Sequence, residues 1–224
     1  MAKTTELSRK ARILDAAERA FADLGFEGAS LRIIVRQARV NLATVYYYFG
    51  SKEGLMTAVV ARRFDPLRIE HLELLRRFDA EAGGGPLPVE KIVEAMVLPP
   101  LQLAAEAGGQ TPVAMRLIGR IVTEPNPQTQ DRLRSLYADV REAFRLAFRR
   151  RLPHLPEADL CWRIQFVWGA LAFILCNPRK VERESNGACH FRDARAVVAQ
   201  LITCFGPGIQ APAVTPAKMT KLSA

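Results

Sequence analysis

The chain has 224 residues, with 32 Lys and Arg against 23 Asp and Glu, a formal charge of +9 and a pI near 9.8; 49% of its residues are apolar and 25% are charged. This is globular usage, and it excludes a disordered chain, a collagen-like repeat and an acidic solvating tail. The length supports one or two domains with a sizeable core. The basic balance points to an anionic partner only where charge gathers on an element built for one.

Helical periodicity dominates, with no internal repeat and no strand-like alternation, so the fold class is all-α. A first helix is predicted from Ser8 to Leu24. Ile13, Ala17, Ala20, Phe21 and Leu24 form one apolar stripe on it. Gly25 supplies a left-handed end, and Phe26 folds back on the last turn. Ser30 caps a short second helix to Ala38 with Leu31, Ile34 and Val35 inward, and Asn41 caps a third, Leu42 to Tyr48. Gly50 ends that helix, and Ser51 caps a long fourth helix over 52–78, kinked at Pro66.

A glycine-rich loop at 83–86 precedes four helices, over about 88–107, 112–123, 127–152 and 157–176. The segment 177–190 reads as a loop and 191–205 as a last helix. From Gly206 onward, three prolines without apolar period read as a flexible tail.

The longest charge-free apolar run, Ile164 to Cys176, falls short of the roughly 20 residues that a membrane span needs. The polar stretch Met1 to Lys10 lacks the apolar core of a signal peptide. These features predict a cytoplasmic protein with no membrane partner. Cys161, Cys176, Cys189 and Cys204 lack metal-ligand or redox spacing and read as reduced, mostly buried small hydrophobes.

The segment 30–49 carries the chemistry. Two short helices joined by a tight turn describe a helix-turn-helix, whose second helix lies in the major groove of DNA. On that helix Val45 and Phe49 serve the core, while Ala43, Thr44, Tyr47 and Tyr48 face outward. Ala43 permits close approach, and Thr44 and Tyr47 reach base edges or phosphates. Tyr46, Tyr47 and Tyr48 point about 100° apart and cannot all be core. An amphipathic helix with tyrosines bridging core and water accounts for them equally well.

Lys52 tips the balance towards DNA: with the free N–H groups of the fourth helix it makes a phosphate clamp. Up to Lys52 there are nine basic residues against five acids, an enrichment without a dense patch. Arg9, Lys10 and Arg12 are placed to reach the DNA backbone or minor groove, and Arg32 and Arg36 to touch phosphates; a solvated basic face is the alternative for them.

The run Ser30 to Leu55, with Ala20-Phe21 and Gly25-Phe26 upstream, resembles the DNA-binding domain of TetR/AcrR-type transcriptional regulators over about residues 8–60. The resemblance implies that Ser30 caps the second helix and bonds a phosphate. It puts Thr44 and Tyr47 in the groove, and Tyr46, Tyr48 and Lys52 on phosphates. Tyr48 stands where a histidine is common. Arg39 occupies the turn position where the family usually has glycine, at a cost of about 1–2 kcal/mol if the turn needs positive φ. Val35 replaces a small alanine between the two helices.

In the remaining chain the helix over 157–176 is apolar nearly all round, which suits an intersubunit four-helix bundle with the last helix, with a central core helix inside one subunit as the alternative. Trp162, Val167, Trp168, Leu171, Ile174, Val198 and Ile202 are its candidate interface. Met96, Leu103, Met115, Ile118, Phe144, Phe148 and Phe166 are candidate liners of an apolar effector pocket. Arg120 is a candidate for a ligand carboxylate, although Arg116, Arg120 and Glu124 read better as an exposed ion-pair ladder.

Enzyme signatures are missing. His71, His154 and His190 have no productive spacing, and Gly83–Gly85 lacks the lysine and preceding strand of a phosphate loop. Neither a cofactor nor a metal is expected. The chain divides into a helix-turn-helix domain over 1–52, a helical regulatory and dimerisation domain over 53–205 reached through the long helix 52–78, and the tail 206–224. The combined reading is a homodimeric regulator, a repressor released from a palindromic double-stranded DNA operator by a small apolar or amphipathic effector. A helical dimeric adaptor that binds protein through a degenerate helix-turn-helix is the alternative.

Overall fold

The computed structural model describes residues 2–105, 113, 116–117, 119, 131, 134–190 and 193–214. Every element among them is helical: α1 (Ala2–Gly28), α2 (Leu31–Ala38), α3 (Leu42–Phe49), α4 (Lys52–Glu81), α5 (Val89–Ala105), α6 (Ala138–Arg151), α7 (Glu157–Cys176), α8 (Pro178–Glu184) and α9 (Ala194–Gln210). The chain forms two compact units, Met1–Arg68 with Gln110–Ala138, and Ile69–Gly109 with Asp139–Ala224. The boundary expected at residue 52 therefore lies within α4, whose first half belongs with the N-terminal helices.

The N-terminal unit closes around Ile13, Ala16, Ala17, Ala20 and Phe21 of α1, Ile34 and Ala38 of α2, Val45 of α3, and Leu55, Val59 and Phe64 of α4, all buried. Each large side chain among them contributes about 1.5–3 kcal/mol of transfer free energy. Gly25 interrupts α1 at φ 73°, ψ 177°, a region essentially restricted to glycine rather than the left-handed helical one expected. Beyond it Phe26 stacks on Phe21 at 6.0 Å. Leu24 is a correction to the predicted stripe, because it is exposed. Tyr137 belongs to the same unit. Its hydroxyl donates to Phe64 O at 3.3 Å and its ring meets Phe64 edge-on at 5.4 Å.

The C-terminal unit buries α5 almost all round, with Ile92, Val93, Met96, Pro99, Pro100 and Leu101 inside. Pro100 has no N–H for the Met96 carbonyl one turn earlier. His71 supplies the donor instead, with Nε2 2.9 Å from Met96 O. The ring packs at 6.0 Å from Phe144 and 5.9 Å from Trp168. A carbonyl only accepts, so Nε2 carries a proton.

Several expectations are revised. The loop expected over 177–190 contains α8, opened by Pro178 at its first turn and spanned by a Lys180–Glu184 pair at 3.8 Å. With Val181 as its single aliphatic side chain, α8 has no apolar period to reveal it. The tail expected from Gly206 is helical to Gln210 and continues through Pro207. Arg163 of α7 then donates to the carbonyls of Ile209 (2.8 Å), Ala211 (2.6 Å) and Pro212 (3.0 Å), while Asp159 accepts from the Val214 N–H at 2.9 Å. Residues 215–224 lie outside the described residues.

Cys161, Cys189 and Cys204 are exposed rather than buried; Cys176 is half-buried, which pushes its thiol pKa up. By length and composition α7 is long and apolar enough to cross a membrane, with a mean hydropathy of 1.4 over 18 residues. The charge-free run alone understated it.

Candidate nucleic-acid interface

The helix-turn-helix is built by its caps. Ser30 is extended (φ −76°, ψ 148°), and its Oγ accepts the Ile33 N–H at 3.3 Å, which leaves its O–H free to donate outward. At the other end of α2, Arg39 adopts φ 53°, ψ 51°, the left-handed conformation. Its N–H donates to Arg36 O at 3.4 Å, and Val40 N–H donates to Val35 O at 3.1 Å. These two bonds form a complete Schellman motif. The turn therefore does need positive φ, and an arginine occupies it at the expected cost of about 1–2 kcal/mol. Neither departure from the family pattern prevents the motif from forming, and Val35 sits half-buried.

Asn41 caps α3. Its Oδ1 accepts the Thr44 N–H at 2.8 Å and the Thr44 hydroxyl at 2.6 Å. An N–H only donates, so the amide orientation is fixed: Oδ1 faces the helix and Nδ2 faces outward. Thr44 is half-buried, and its hydroxyl proton is committed to Asn41. It offers lone pairs and a methyl to a partner, but no donor.

Beyond it the tyrosines diverge. Tyr47 is 77% exposed and Tyr46 50%, whereas Tyr48 is half-buried with its ring 5.1 Å from Tyr47, edge-on. Ala43 is exposed and Val45 fully buried. Arg9 on α1 and Arg32 on α2 are also exposed.

Gly50 turns the chain at φ 72°, its N–H bonded to Tyr46 O at 2.9 Å, and Ser51 Oγ caps α4 by accepting the Gly54 N–H at 3.0 Å. Gly54 escaped the sequence reasoning. A Cβ built on it lies 2.0 Å from the Phe49 carbonyl oxygen, so only glycine lets the start of α4 sit against the end of α3. Its signal was an isolated glycine inside a helical pattern.

Lys52 reaches back to α1, donating to Glu27 O at 3.3 Å with its ammonium 4.5 Å over the Phe26 ring. The cation thus also holds α4 to the end of α1. A second α1–α4 tie was not anticipated. Glu18, buried within α1, bonds both Arg62 and Arg63 (2.8 Å to the latter), and Arg62 also pairs with Asp15 at 2.8 Å.

The candidate effector and interface residues divide differently from the sequence reading. Met96, Phe144 and Phe148 are buried, and Leu103 is half-buried. Phe166 is corrected: it is 57% exposed and stacked on Trp162 at 5.9 Å, so it is no pocket liner within the chain. Met115, Ile118, Arg120 and Glu124 lie outside the described residues, while Arg116 pairs with Asp23 of α1 at 2.9 Å.

On α7 the exposed face carries Trp162, Phe166, Gly169 and Phe173. Val167, Leu171 and Val198, expected at a subunit interface, are already buried inside one chain. Trp168, Ile174 and Ile202 are half-buried. A helix apolar all round gives no period by which to choose its outer face. Among the described residues no cluster of three or more His, Cys, Asp or Glu is placed to hold a metal ion.

A family model for bacterial regulatory proteins of the tetR family matches residues 13–59, and one for the tetracyclin repressor-like C-terminal domain matches residues 94–206. The chain belongs to the TetR family. The HTH-type transcriptional repressor KstR of Rhodococcus jostii is 27% identical over 145 residues, covering 59% of this chain and 68% of that protein. The HTH-type transcriptional regulator UidR of Escherichia coli is 28% identical over 135 residues, covering 59% of this chain and 61% of its own length. In fold, HlyIIR, a hemolysin II transcriptional regulator, superposes with a TM-score of 0.55 at 17% identity over 90% of this chain and 98% of that one. A TetR-family DNA-binding regulator is thus the function, and the adaptor alternative is not favoured.

Proposed function

We propose that this TetR-family protein acts as a homodimeric repressor on a pseudo-palindromic operator. One α3 enters each half-site, and the half-sites lie about one helical turn apart. The observation that carries this is the outer face of α3, where Ala43, Tyr46 and Tyr47 are exposed and Thr44 is half-buried beside them, on a helix capped at both ends. Thr44 and Tyr47 read the groove; Ser30, Arg9, Arg32, Tyr46, Tyr48 and Lys52 hold phosphates. The apolar outer face of α7 supports the dimer, because Trp162 and Phe166 otherwise meet water.

The effector is a small apolar or amphipathic molecule bound among Met96, Leu103, Phe144 and Phe148. It releases DNA by binding the operator-incompetent state more tightly. Helix α4 is the lever, since both units share it. Such a regulator works in the cytoplasm, where bacterial DNA is.

Selection of random double-stranded DNA on the purified protein tests this reading. The expected product is an inverted repeat. Recovery of a single, non-repeated site would sink the dimeric operator, and recovery of nothing above background would sink sequence-specific repression.

A further inference from the structure

We propose that the turn of the helix-turn-helix is itself a DNA contact: Arg39 clamps a phosphate beside the groove, and Asn41 Nδ2 donates to the DNA next to it. Arg39 holds a left-handed conformation that glycine adopts without cost, so the chain retains a strained residue in the tightest part of the motif. Among the described residues nothing uses the side chain. Arg39 is exposed, and among the described residues no carboxylate, carbonyl or ring pairs with its guanidinium. The motif needs from this position only its backbone, through the two N–H bonds that close α2.

Arg39 stands two residues before Asn41, the N-cap of the helix whose N-terminal residues approach base edges in this motif. Arg32 and Arg36, also exposed, lie on the same α2 that leads into the turn. A guanidinium there meets the strand flanking the groove and can bond a phosphate through two N–H groups. Asn41 adds a donor of fixed direction, because capping consumes Oδ1 and leaves both Nδ2 protons outward. The combination extends the donor surface beyond the N-terminal end of α3.

The test rests on two readouts moving in opposite directions. Arg39→Gly relieves the strain, so the thermal midpoint rises by a few degrees. The same substitution weakens binding to a random-sequence duplex of about three helical turns roughly five-fold, and flattens the log–log salt dependence by about one unit per bound protomer. Arg39→Lys keeps charge and strain, and restores most of the affinity and slope.

Asn41→Asp keeps the cap, since the two residues cap equally well. It replaces the outward donor by a negative oxygen, so duplex affinity falls at least ten-fold with the midpoint unchanged or higher. A rise in midpoint for Arg39→Gly with affinity and salt slope unchanged overturns the Arg39 contact. Undiminished affinity for Asn41→Asp overturns the Asn41 contact. Failure of the unsubstituted protein to bind the duplex at low salt overturns DNA binding itself, a result distinct from the other two.

Discussion

Helices α3 and α7 both expose large aromatic side chains, and the two faces ask for different partners. On α3 they are tyrosines, each with a hydroxyl, on a helix flanked by Arg32, Arg36, Arg39 and Lys52. On α7 they are Trp162, Phe166 and Phe173, beside Gly169, with the helix's own arginine, Arg163, turned to backbone carbonyls of residues 209–212. The first face can satisfy a polyanion at every tip. The second has one polar tip, the Trp162 indole N–H, and its phenylalanine rings call for another apolar surface. Exposed aromatic area alone distinguishes nothing; the number of polar atoms at its edge does.

The sharpest way to break this comparison is to put charge on the second face. Trp162→Glu with Phe166→Glu is expected to weaken self-association more than about 100-fold, since aromatic anchors dominate interface energetics. Sedimentation velocity at micromolar concentration should show the unsubstituted protein as a dimer and the variant as a monomer with an unchanged helical spectrum. A variant that stays dimeric would move the interface off this face of α7.

The mounting of α3 is the next target. Gly54→Ala drives a methyl into the Phe49 carbonyl. Relieving the clash costs about 1–3 kcal/mol, or a fall of roughly 2–4 °C in thermal midpoint per kcal/mol. Operator binding should fall with it, because α3 shifts on its support. An unchanged midpoint would mean that α3 and α4 are less tightly joined than their packing indicates.

The smallest expected effect sharpens the tyrosine side. Tyr47→Phe removes one exposed hydroxyl, so the thermal midpoint should not move while operator affinity falls by about two- to ten-fold. Equal losses on operator and on random duplex would assign that hydroxyl to a phosphate rather than to a base edge.

The same contrast governs how much the sequence revealed. In the N-terminal unit the signals are local. Ser30, Asn41, Gly50 and Ser51 each fix a backbone turn through their own chemistry, so these helix caps are legible one by one, whereas of the residues read as outward on α3 Thr44 and Tyr48 are half-buried and Tyr46, not among them, is exposed. Even the strain at Arg39 was legible as a non-glycine where a left-handed turn was due.

In the C-terminal unit the signals are collective. An apolar residue on α7 looks the same whether it meets its own chain or a partner, so Val167 and Leu171 were placed outward and Phe166 inward, the reverse of the structure. Long-range polar ties were equally invisible. Glu18 with Arg62 and Arg63, and His71 serving the carbonyl that Pro100 leaves without a donor, join residues 25 to 45 positions apart. No periodicity reports such pairs.

The pinning of residues 211–214 against α7 has a practical corollary for anyone who alters the carboxyl end. Arg163 and Asp159 are themselves largely buried and spend their hydrogen bonds on Ala211, Pro212 and Val214. A chain shortened at Gln210 takes the Val214 N–H from Asp159 and leaves Arg163 with only Ile209 O and Asp159 as partners, on the helix that presents Trp162. A fluorescent or affinity tag is therefore best joined after Val214, where it leaves that fastening whole.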